Sequence, residues 1–219
     1  MEDWPKRLNF DPLPRLKASQ NEALLYFVRR DLLGEEVGPA ESLWKLADVL
    51  KMLKKQQEDG SWIYPGGKKD MRSQQDYNQL QTYKILMDLV EKYGFTKEHP
   101  AIRSAAEFLF TCQTEEGDFR GIYRDQYTPN YSAGILELLI KAGYQNDLRT
   151  QRGFAWLLSM QQDDGGWLSV PIRRVARTKL LRQWARSDSG SLYLDSQCLV
   201  TTSTVIEGVR AVRQALKAT

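Results

Sequence analysis

The feature that most constrains the fold is a short phrase that the chain repeats three times with variation. The three copies read KKQQEDGSW at 54–62, FLFTCQTEEGDF at 108–119 and WLLSMQQDDGGW at 156–167. In each copy an apolar helical stretch leads to a glutamine, acidic residues, a glycine and, two residues later, an aromatic. The anchoring glutamines Gln57, Gln113 and Gln162 are 56 and 49 residues apart. A period of about 50 residues predicts an array of similar supersecondary units.

Each copy of the phrase has the composition of a turn between two helices. The glycine allows a positive φ after the last helical residue, and the aromatic offers a large apolar surface to fill the gap between units. The acidic residues suit helix N-termini, and the glutamine amide can bridge backbone groups left unpaired by the turn. We therefore interpret these residues as structural: Gln57, Gly60, Trp62, Gln113, Gly117, Phe119, Gln162, Gly165 and Trp167.

Apolar residues recur at helical spacing along most of the chain, and strand signals are nearly absent. The pattern predicts an all-α fold of about seven helices. They are expected at 19–33, 41–57, 75–93, 100–113, 131–142, 148–162 and 196–217. Residues 1–17 are expected to be an irregular lead-in, because Pro5, Pro12 and Pro14 disfavour helix. A basic insertion is expected at 168–194.

Length and composition exclude several classes of protein. A chain of 219 residues with 42% hydrophobic and 27% charged residues fits one globular domain over 1–219. A net charge of +3 is too small to indicate a nucleic-acid partner. No apolar run is long enough to span a membrane, and the N-terminus lacks the apolar region of a secretory signal. The two cysteines are too few for a disulfide framework, so we expect a cytoplasmic protein.

The motifs Gln57-x-x-Gly60-x-Trp62 and Gln162-x-x-Gly165-x-Trp167 resemble the QW repeat of terpenoid cyclases and protein prenyltransferases, a superfamily that includes squalene–hopene cyclases. The middle copy, from Gln113 to Phe119, is a degenerate version with an extra residue. The resemblance covers about 40–217 and implies an α/α toroid, in which outer and inner helices alternate around a central cavity. Outer helices would be 41–57, 100–113 and 148–162, and inner helices 75–93, 131–142 and 196–217.

The chain is short for a closed toroid of this family. Such a ring usually contains about six helix hairpins, and this sequence supplies about three and a half. We therefore expect an incomplete ring with open apolar edges. A second copy of the chain, forming a homodimer, is one way to cover them.

The catalytic motifs of the family do not occur at the matching positions. The DxDD motif, with which cyclases protonate an alkene, is missing, and Asp163-Asp164 lies in a turn. Asp195-Ser-Gln-Cys198 only approximates the zinc-binding Asp-x-Cys of prenyltransferases. No histidine follows it, since the single histidine is His99. We expect no metal or other cofactor, and His99 is interpreted as a helix-entry residue.

Polar and aromatic residues after the turns are candidates for lining a cavity. Candidate ligand contacts are Trp62, Tyr64, Tyr77, Gln81, Tyr123, Arg124, Tyr127, Tyr131 and Trp167. Aromatic rings at these positions would clasp an isoprenoid or another apolar ligand. Asp76, Asp125 and Asp195 are weak candidates for a catalytic acid. The structural alternative is that all of these groups pack loops onto the helices.

A basic run, IRRVARTKLLRQWAR, occupies 172–186. Its interleaved apolar residues favour an amphipathic helix, which would suit a diphosphate or other anion, an anionic membrane surface or an acidic partner protein. A solvated face is the simpler alternative, and no motif for nucleic acid accompanies the charge.

Three functions remain open from the sequence. The leading hypothesis is a cyclase- or prenyltransferase-like protein that keeps the scaffold and an apolar ligand cavity without the known catalytic motifs. The alternatives are an active prenyltransferase or cyclase with a divergent acid, and a non-catalytic scaffold that binds protein.

Overall fold

The computed structural model describes residues 8–66, 73–161, 166–167 and 172–173. Over these ranges the fold is all-α, as predicted. In chain order the elements are α1 (Leu13–Lys17), α2 (Glu22–Phe27) with a π-helical continuation (Val28–Leu32), a 3-10 helix (Ala40–Lys45), α3 (Ala47–Leu53), α4 (Gln74–Met87) with a π-helical continuation (Asp88–Lys92), α5 (Pro100–Thr111), a 3-10 helix (Gly121–Tyr123), β1 (Gln126–Tyr127), α6 (Pro129–Lys141), α7 (Leu148–Ser159) and β2 (Ile172–Arg173).

Local sequence explains where the longer helices begin. The Ser73 hydroxyl accepts the backbone N–H of Asp76 at the start of α4. Nδ1 of His99 accepts the N–H of Ala101 at 3.1 Å, and the Asp147 carboxylate accepts the N–H of Arg149 at 2.8 Å. Each bond satisfies a donor that the first turn of a helix leaves free. The interpretation of His99 as a helix-entry residue is confirmed.

The longer helices pack in pairs. α5 packs against α4, α7 packs against α6, and α4 contacts α6. The central position of α6 explains its composition, since all of its residues are buried except Asn130, Glu137 and Lys141. We call α4 and α6, which contact each other, the inner layer, and α5 and α7, which each pack against one of them, the outer helices. Closure of these helices into a ring stays a prediction.

Three local expectations need correction. Leu13–Lys17 is helical within the expected irregular lead-in, because Pro12 is the N-cap and Pro14 lies in the first turn, where no N–H donor is needed. The helix predicted at 41–57 is divided at Leu46, whose ψ of 142° is extended. Ile172–Arg173, in the basic run, forms a short antiparallel pair with Gln126–Tyr127 instead of a helix.

The predicted helix at 196–217 and the rest of the basic run at 174–186 lie outside the described residues. Among the described residues, no helix is both long and apolar enough to cross a membrane.

Candidate functional site

The first two copies of the repeated phrase form turns with the same hydrogen bonds. Nε2 of Gln113 donates to the carbonyl oxygens of Gly117 (2.8 Å) and Arg149 (2.9 Å). In the first turn Nε2 of Gln56 donates to the carbonyls of Gly60 (2.9 Å) and Ala101 (2.8 Å).

The glutamine that matches Gln113 is therefore Gln56, one residue before the one chosen from sequence. Gln57 is exposed, and its side-chain amide donates to the nearby carbonyl of Lys55. With this register, the second turn has no extra residue: a glutamine, three residues, a glycine, one residue and an aromatic occur in both copies. The matching residues of the third copy are Gln161, Gly165 and Trp167, of which Gly165, like the predicted Gln162, lies outside the described residues.

Each turn is attached to the next outer helix. Ala101 and Arg149 are the second residues of α5 and α7, so each glutamine joins its own turn to the helix that opens the following unit. The glycines allow the backbone of each turn to lie in direct contact with the next outer helix. A Cβ added at Gly60 would lie 2.1 Å from the carbonyl oxygen of Ser104, and one at Gly117 would lie 2.7 Å from that of Arg152. Both glycines also have positive φ, +87° and +105°.

The aromatic residue of each turn is attached to the inner layer. The backbone N–H of Trp62 donates to the Thr82 hydroxyl on α4, and that of Phe119 donates to the Ser132 hydroxyl on α6, both at 3.0 Å. The indole N–H of Trp62 donates to the carbonyl of Met52, and that of Trp167 to the carbonyl of Leu157. The first two turns thus connect three helices each: α3, α4 and α5 at the first, and α5, α6 and α7 at the second.

The second turn carries an additional ionic network. Asp118 is fully buried and accepts a 2.8 Å bond from Nε of Arg120 and a short bond from the Thr114 hydroxyl. Arg120 also bonds to Glu116, which accepts a 2.7 Å bond from the hydroxyl of Tyr127. Among the described residues Asp118 is the only fully buried carboxylate, and it is paired. The network holds the segment from Arg120 to Tyr127 against the turn.

A second group of residues lies between the inner helices; we call Gln79, Tyr83, Tyr123 and Tyr131 the inner cluster. The ring of Tyr131 on α6 lies 5.7 Å from the rings of both Tyr83 on α4 and Tyr123, each edge to face. The side chain of Tyr83 packs directly against α6 at Gly134, since a Cβ added at Gly134 would lie 2.5 Å from the Tyr83 hydroxyl. A Cβ added at Gly121 would lie 2.8 Å from Oε1 of Gln79 and 3.3 Å from the Tyr131 hydroxyl, so glycine is needed here.

Two polar groups of the inner cluster are buried without a hydrogen-bond partner among the described residues. They are Nε2 of Gln79 and the hydroxyl of Tyr131, on side chains of residues only 2% and 8% exposed. Such a group forfeits its bonds to water without replacing them, at a cost of about 1–3 kcal/mol each. Native proteins retain few such groups, and each one needs an explanation, such as an absent water or ligand.

Burial controls the protonation of this region. It raises the pKa of the Tyr131 hydroxyl well above the ordinary value, and it also raises that of Tyr83, where the carboxylates of Glu137 and Glu91 add to the effect. The neighbouring Cys112 thiol has its pKa raised by burial to about 11. These groups are therefore neutral at physiological pH and act as hydrogen-bonding groups, not as bases or thiolate nucleophiles.

A groove of about 460 Å³ opens beside the inner cluster. Its lining residues come from the first turn, the start of α4 and the end of α5: Asp59, Gln74, Gln75, Asn78, Glu107, Phe108 and Thr111. Gln75 links the groove to the cluster, because its Nε2 lies 4.0 Å from Sγ of Cys112 and it precedes Gln79 by one helical turn.

The structure separates the candidate ligand contacts into three groups. Tyr123 and Tyr131 lie together in the inner cluster. Tyr64 and Tyr77 pack on each other 4.9 Å apart outside the cluster, and Gln81 is half-buried on α4. The remaining candidates are Trp62, Tyr127 and Trp167, which are buried and bonded within the scaffold, and Arg124, which is exposed.

The candidate acids are dispersed. Asp76 is half-buried in the first turn of α4, Asp125 is exposed next to Arg124, and Asp195 lies outside the described residues, as does Cys198. Within the described ranges no three His, Cys, Asp or Glu side chains are grouped so as to hold a metal ion.

Sequence reasoning missed Gln79, Tyr83 and the lining of the groove as site residues. A signal for Gln79 was present: Gln75, Gln79 and Tyr83 recur every four residues and so share one face of a single helix. A polar residue inside such a stripe is a candidate for a buried hydrogen-bonding position.

Comparison with known proteins points to one group of enzymes. No family model matches the chain. A squalene-hopene cyclase of Schizosaccharomyces japonicus is 34% identical over 65 residues, which cover 30% of this chain and 10% of that enzyme. One from Zymomonas mobilis is 26% identical over 81 residues, covering 37% of this chain and 12% of the enzyme. These partial matches support a distant, terpenoid cyclase-like relationship. They span about a tenth of the relatives' length.

Proposed function

We propose that this protein uses a terpenoid cyclase-like helical scaffold to bind an apolar, isoprenoid-type molecule at the inner cluster, without acid catalysis by the residues of that cluster. The observation that carries the proposal is the inner cluster itself. Tyr83 and Tyr123 pack edge to face against Tyr131, and Nε2 of Gln79 and the hydroxyl of Tyr131 are buried without a partner among the described residues.

The rings provide the apolar part of such a site. Tyr83, Tyr123 and Tyr131 come from α4, the 3-10 helix and α6, so a ligand among them would contact three elements at once. Tyrosine rings offer a large contact area with few rotatable bonds, and sites of this kind are mostly apolar with a few placed polar groups. The partial similarity to squalene-hopene cyclases supports an isoprenoid as the class of ligand.

The state of the acidic residues supports binding over catalysis. Protonation of an alkene needs a carboxylic acid that is desolvated and poorly paired. Asp118, the fully buried carboxylate among the described residues, is bonded to Arg120 and Thr114. Its role is to hold the second turn, and the tyrosines and thiol of the inner region are weak acids.

A native mass spectrum of the protein as purified tests the proposal, followed by titration of delipidated protein with farnesol under tyrosine and tryptophan fluorescence. We expect a co-purified lipid mass and saturable binding of farnesol. Tyr123→Ala should weaken that binding about tenfold, as removal of a central aromatic contact does. The matched control is Tyr64→Ala, which removes a half-buried tyrosine outside the inner cluster and should change the affinity less than about twofold. Absence of saturable binding, or equal effects of both variants, would contradict the proposal.

A further inference from the structure

We infer that the molecule bound at the inner cluster carries a neutral oxygen, as a hydroxyl or carbonyl group, and that Gln79 and Tyr131 recognise it together. This inference rests on the proposed function and specifies the chemical class of its ligand: an isoprenoid alcohol, aldehyde or ketone, not a hydrocarbon or a diphosphate.

The hydrogen-bonding capacity of the two side chains selects oxygen. Nε2 of Gln79 is a donor only, so its missing partner must be an acceptor. The hydroxyl of Tyr131 both donates and accepts, and burial keeps it protonated. A ligand hydroxyl or carbonyl oxygen supplies the acceptor that Gln79 lacks and a partner for Tyr131. A hydrocarbon would leave both groups buried and unpaired.

The charges around the cluster disfavour an anionic head group. The carboxylate of Asp76 lies near enough to Tyr131 to disfavour its ionised form. Arg120, the nearby cation on the segment that leads to Tyr123, is engaged by Asp118 and Glu116. A diphosphate beside Tyr131 would therefore meet the Asp76 carboxylate and an Arg120 that is already paired, whereas a neutral oxygen adds no charge.

The groove supplies a volume one helical turn from Gln79, since Gln75 lines it. Its 460 Å³ is within the range of small-molecule sites. Gln75 and Thr111 line it, and Cys112, adjacent to Thr111 in the chain, is close to both Gln75 and Tyr131. The groove is thus linked to the cluster through Gln75 and Cys112, and the Cys112 thiol, neutral because burial raises its pKa to about 11, places no charge between them.

The experiment compares three probes of one carbon skeleton on delipidated full-length protein: farnesol, farnesene and farnesyl diphosphate. Dissociation constants are measured for the wild type and for Tyr131→Phe, Gln79→Met and Tyr64→Phe. The first two substitutions each remove one recognition group at nearly constant volume. Tyr64→Phe is the matched control, because it deletes a hydroxyl from a half-buried tyrosine that packs on Tyr77 outside the inner cluster.

We expect wild-type protein to bind farnesol at least about tenfold more tightly than farnesene or farnesyl diphosphate. Tyr131→Phe and Gln79→Met should each remove most of the preference for farnesol over farnesene, while Tyr64→Phe retains it. The melting temperature of ligand-free Tyr131→Phe should equal or exceed that of the wild type, since an unpaired buried hydroxyl has been removed.

Three results would overturn the inference. If farnesene binds as tightly as farnesol, an apolar ligand is bound without recognition of oxygen, and the proposed function survives alone. If the ligand-free melting temperature of Tyr131→Phe falls and the preference for farnesol is unchanged, the two groups hold a structural water only. If none of the three probes binds, the proposed function fails together with the inference.

Discussion

The turns and the inner cluster differ in whether their side-chain amide nitrogens have hydrogen-bond partners. In both described turns the glutamine amide bonds two carbonyls, one in its own turn and one in the next outer helix. In the inner cluster an amide nitrogen and a hydroxyl, on residues more buried than those glutamines, have no partner among the described residues. The glutamine amides of the two turns are thus paired by the chain itself, and the amide nitrogen of Gln79 is not.

This difference distinguishes structural residues from ligand-binding ones in a molecule where both kinds are glutamine and aromatic. Gln113 and Gln79 have the same side chain, but only Gln113 is bonded to the helix that follows it. Substitutions in the turns should therefore lower stability, and substitutions in the inner cluster should mainly change binding. The following experiments test that contrast, from the largest expected effect to the smallest.

Gly60→Ala should give the largest loss of stability. Its Cβ would lie 2.1 Å from the Ser104 carbonyl oxygen, on a backbone with φ of +87°. Strain in φ and displacement of α5 together should cost about 4 kcal/mol in the free energy of unfolding, measured by urea denaturation. The control is Gly38→Ala, where an added Cβ meets nothing within 4 Å. A Gly60→Ala protein as stable as Gly38→Ala would show that the first turn does not dock on α5.

Asp118→Ala should cost about 3 kcal/mol, because it leaves Arg120, itself only 12% exposed, without its buried counter-ion. The matching residue of the first turn is Ser61, whose buried hydroxyl has no partner among the described residues. Ser61→Ala should therefore leave the free energy of unfolding within about 0.5 kcal/mol of wild type. Equal effects at the two positions would contradict the ionic network.

Gln113→Leu should cost about 2 kcal/mol, since the carbonyls of Gly117 and Arg149 lose their donor. Gln56→Leu should cost nearly as much for the same reason. Gln57→Leu is the matched control and should change stability by less than about 0.5 kcal/mol, because that side chain is exposed. A larger loss of stability in Gln57→Leu than in Gln56→Leu would show that Gln57, as chosen from sequence, is the residue that matches Gln113.

The N-cap of α5 should make stability weakly dependent on pH. Burial, assisted by Arg103, lowers the pKa of His99 below its ordinary value of 6.5. A base with a lowered folded-state pKa contributes its stability above the unfolded pKa and loses it as pH falls through 6.5 toward the folded value.

Wild-type protein should therefore lose up to about 1 kcal/mol between pH 7.5 and pH 5.5 through this cap. In His99→Asn, which retains an uncharged capping group, that component should be absent. Urea denaturation at the two pH values measures the difference between the proteins, and parallel losses in both would exclude His99 as its source.

Much of the scaffold was predictable from sequence because it follows from local rules. The helical period predicts α4, α5 and α7 with small errors at their ends. The register chosen for the first turn was wrong, although the spacing from Gln113 to Gly117 in the second copy matches Gln56 and not Gln57. The bond from Gln56 to the carbonyl of Ala101, distant in the chain, distinguishes the two glutamines in the structure.

The inner cluster was predictable only in part. Tyr123 and Tyr131 followed from their position after a turn, but Gln79 and Tyr83 required the packing of α4 against α6. A prediction of the buried helix face from hydrophobicity alone misses Gln79 and Thr82, although both are buried. Thr82 is buried because it accepts the N–H of Trp62, a contact between segments that no local pattern indicates.

The most direct test of the contrast between the two regions is the free energy of unfolding of delipidated Tyr131→Phe, measured by urea denaturation beside Gln113→Leu. We predict that Tyr131→Phe is as stable as wild type or up to about 1 kcal/mol more stable, while Gln113→Leu is about 2 kcal/mol less stable. A loss of more than about 1 kcal/mol in Tyr131→Phe would show that its hydroxyl is already paired in the free protein. The inner cluster would then be part of the scaffold, and no ligand would be needed to complete it.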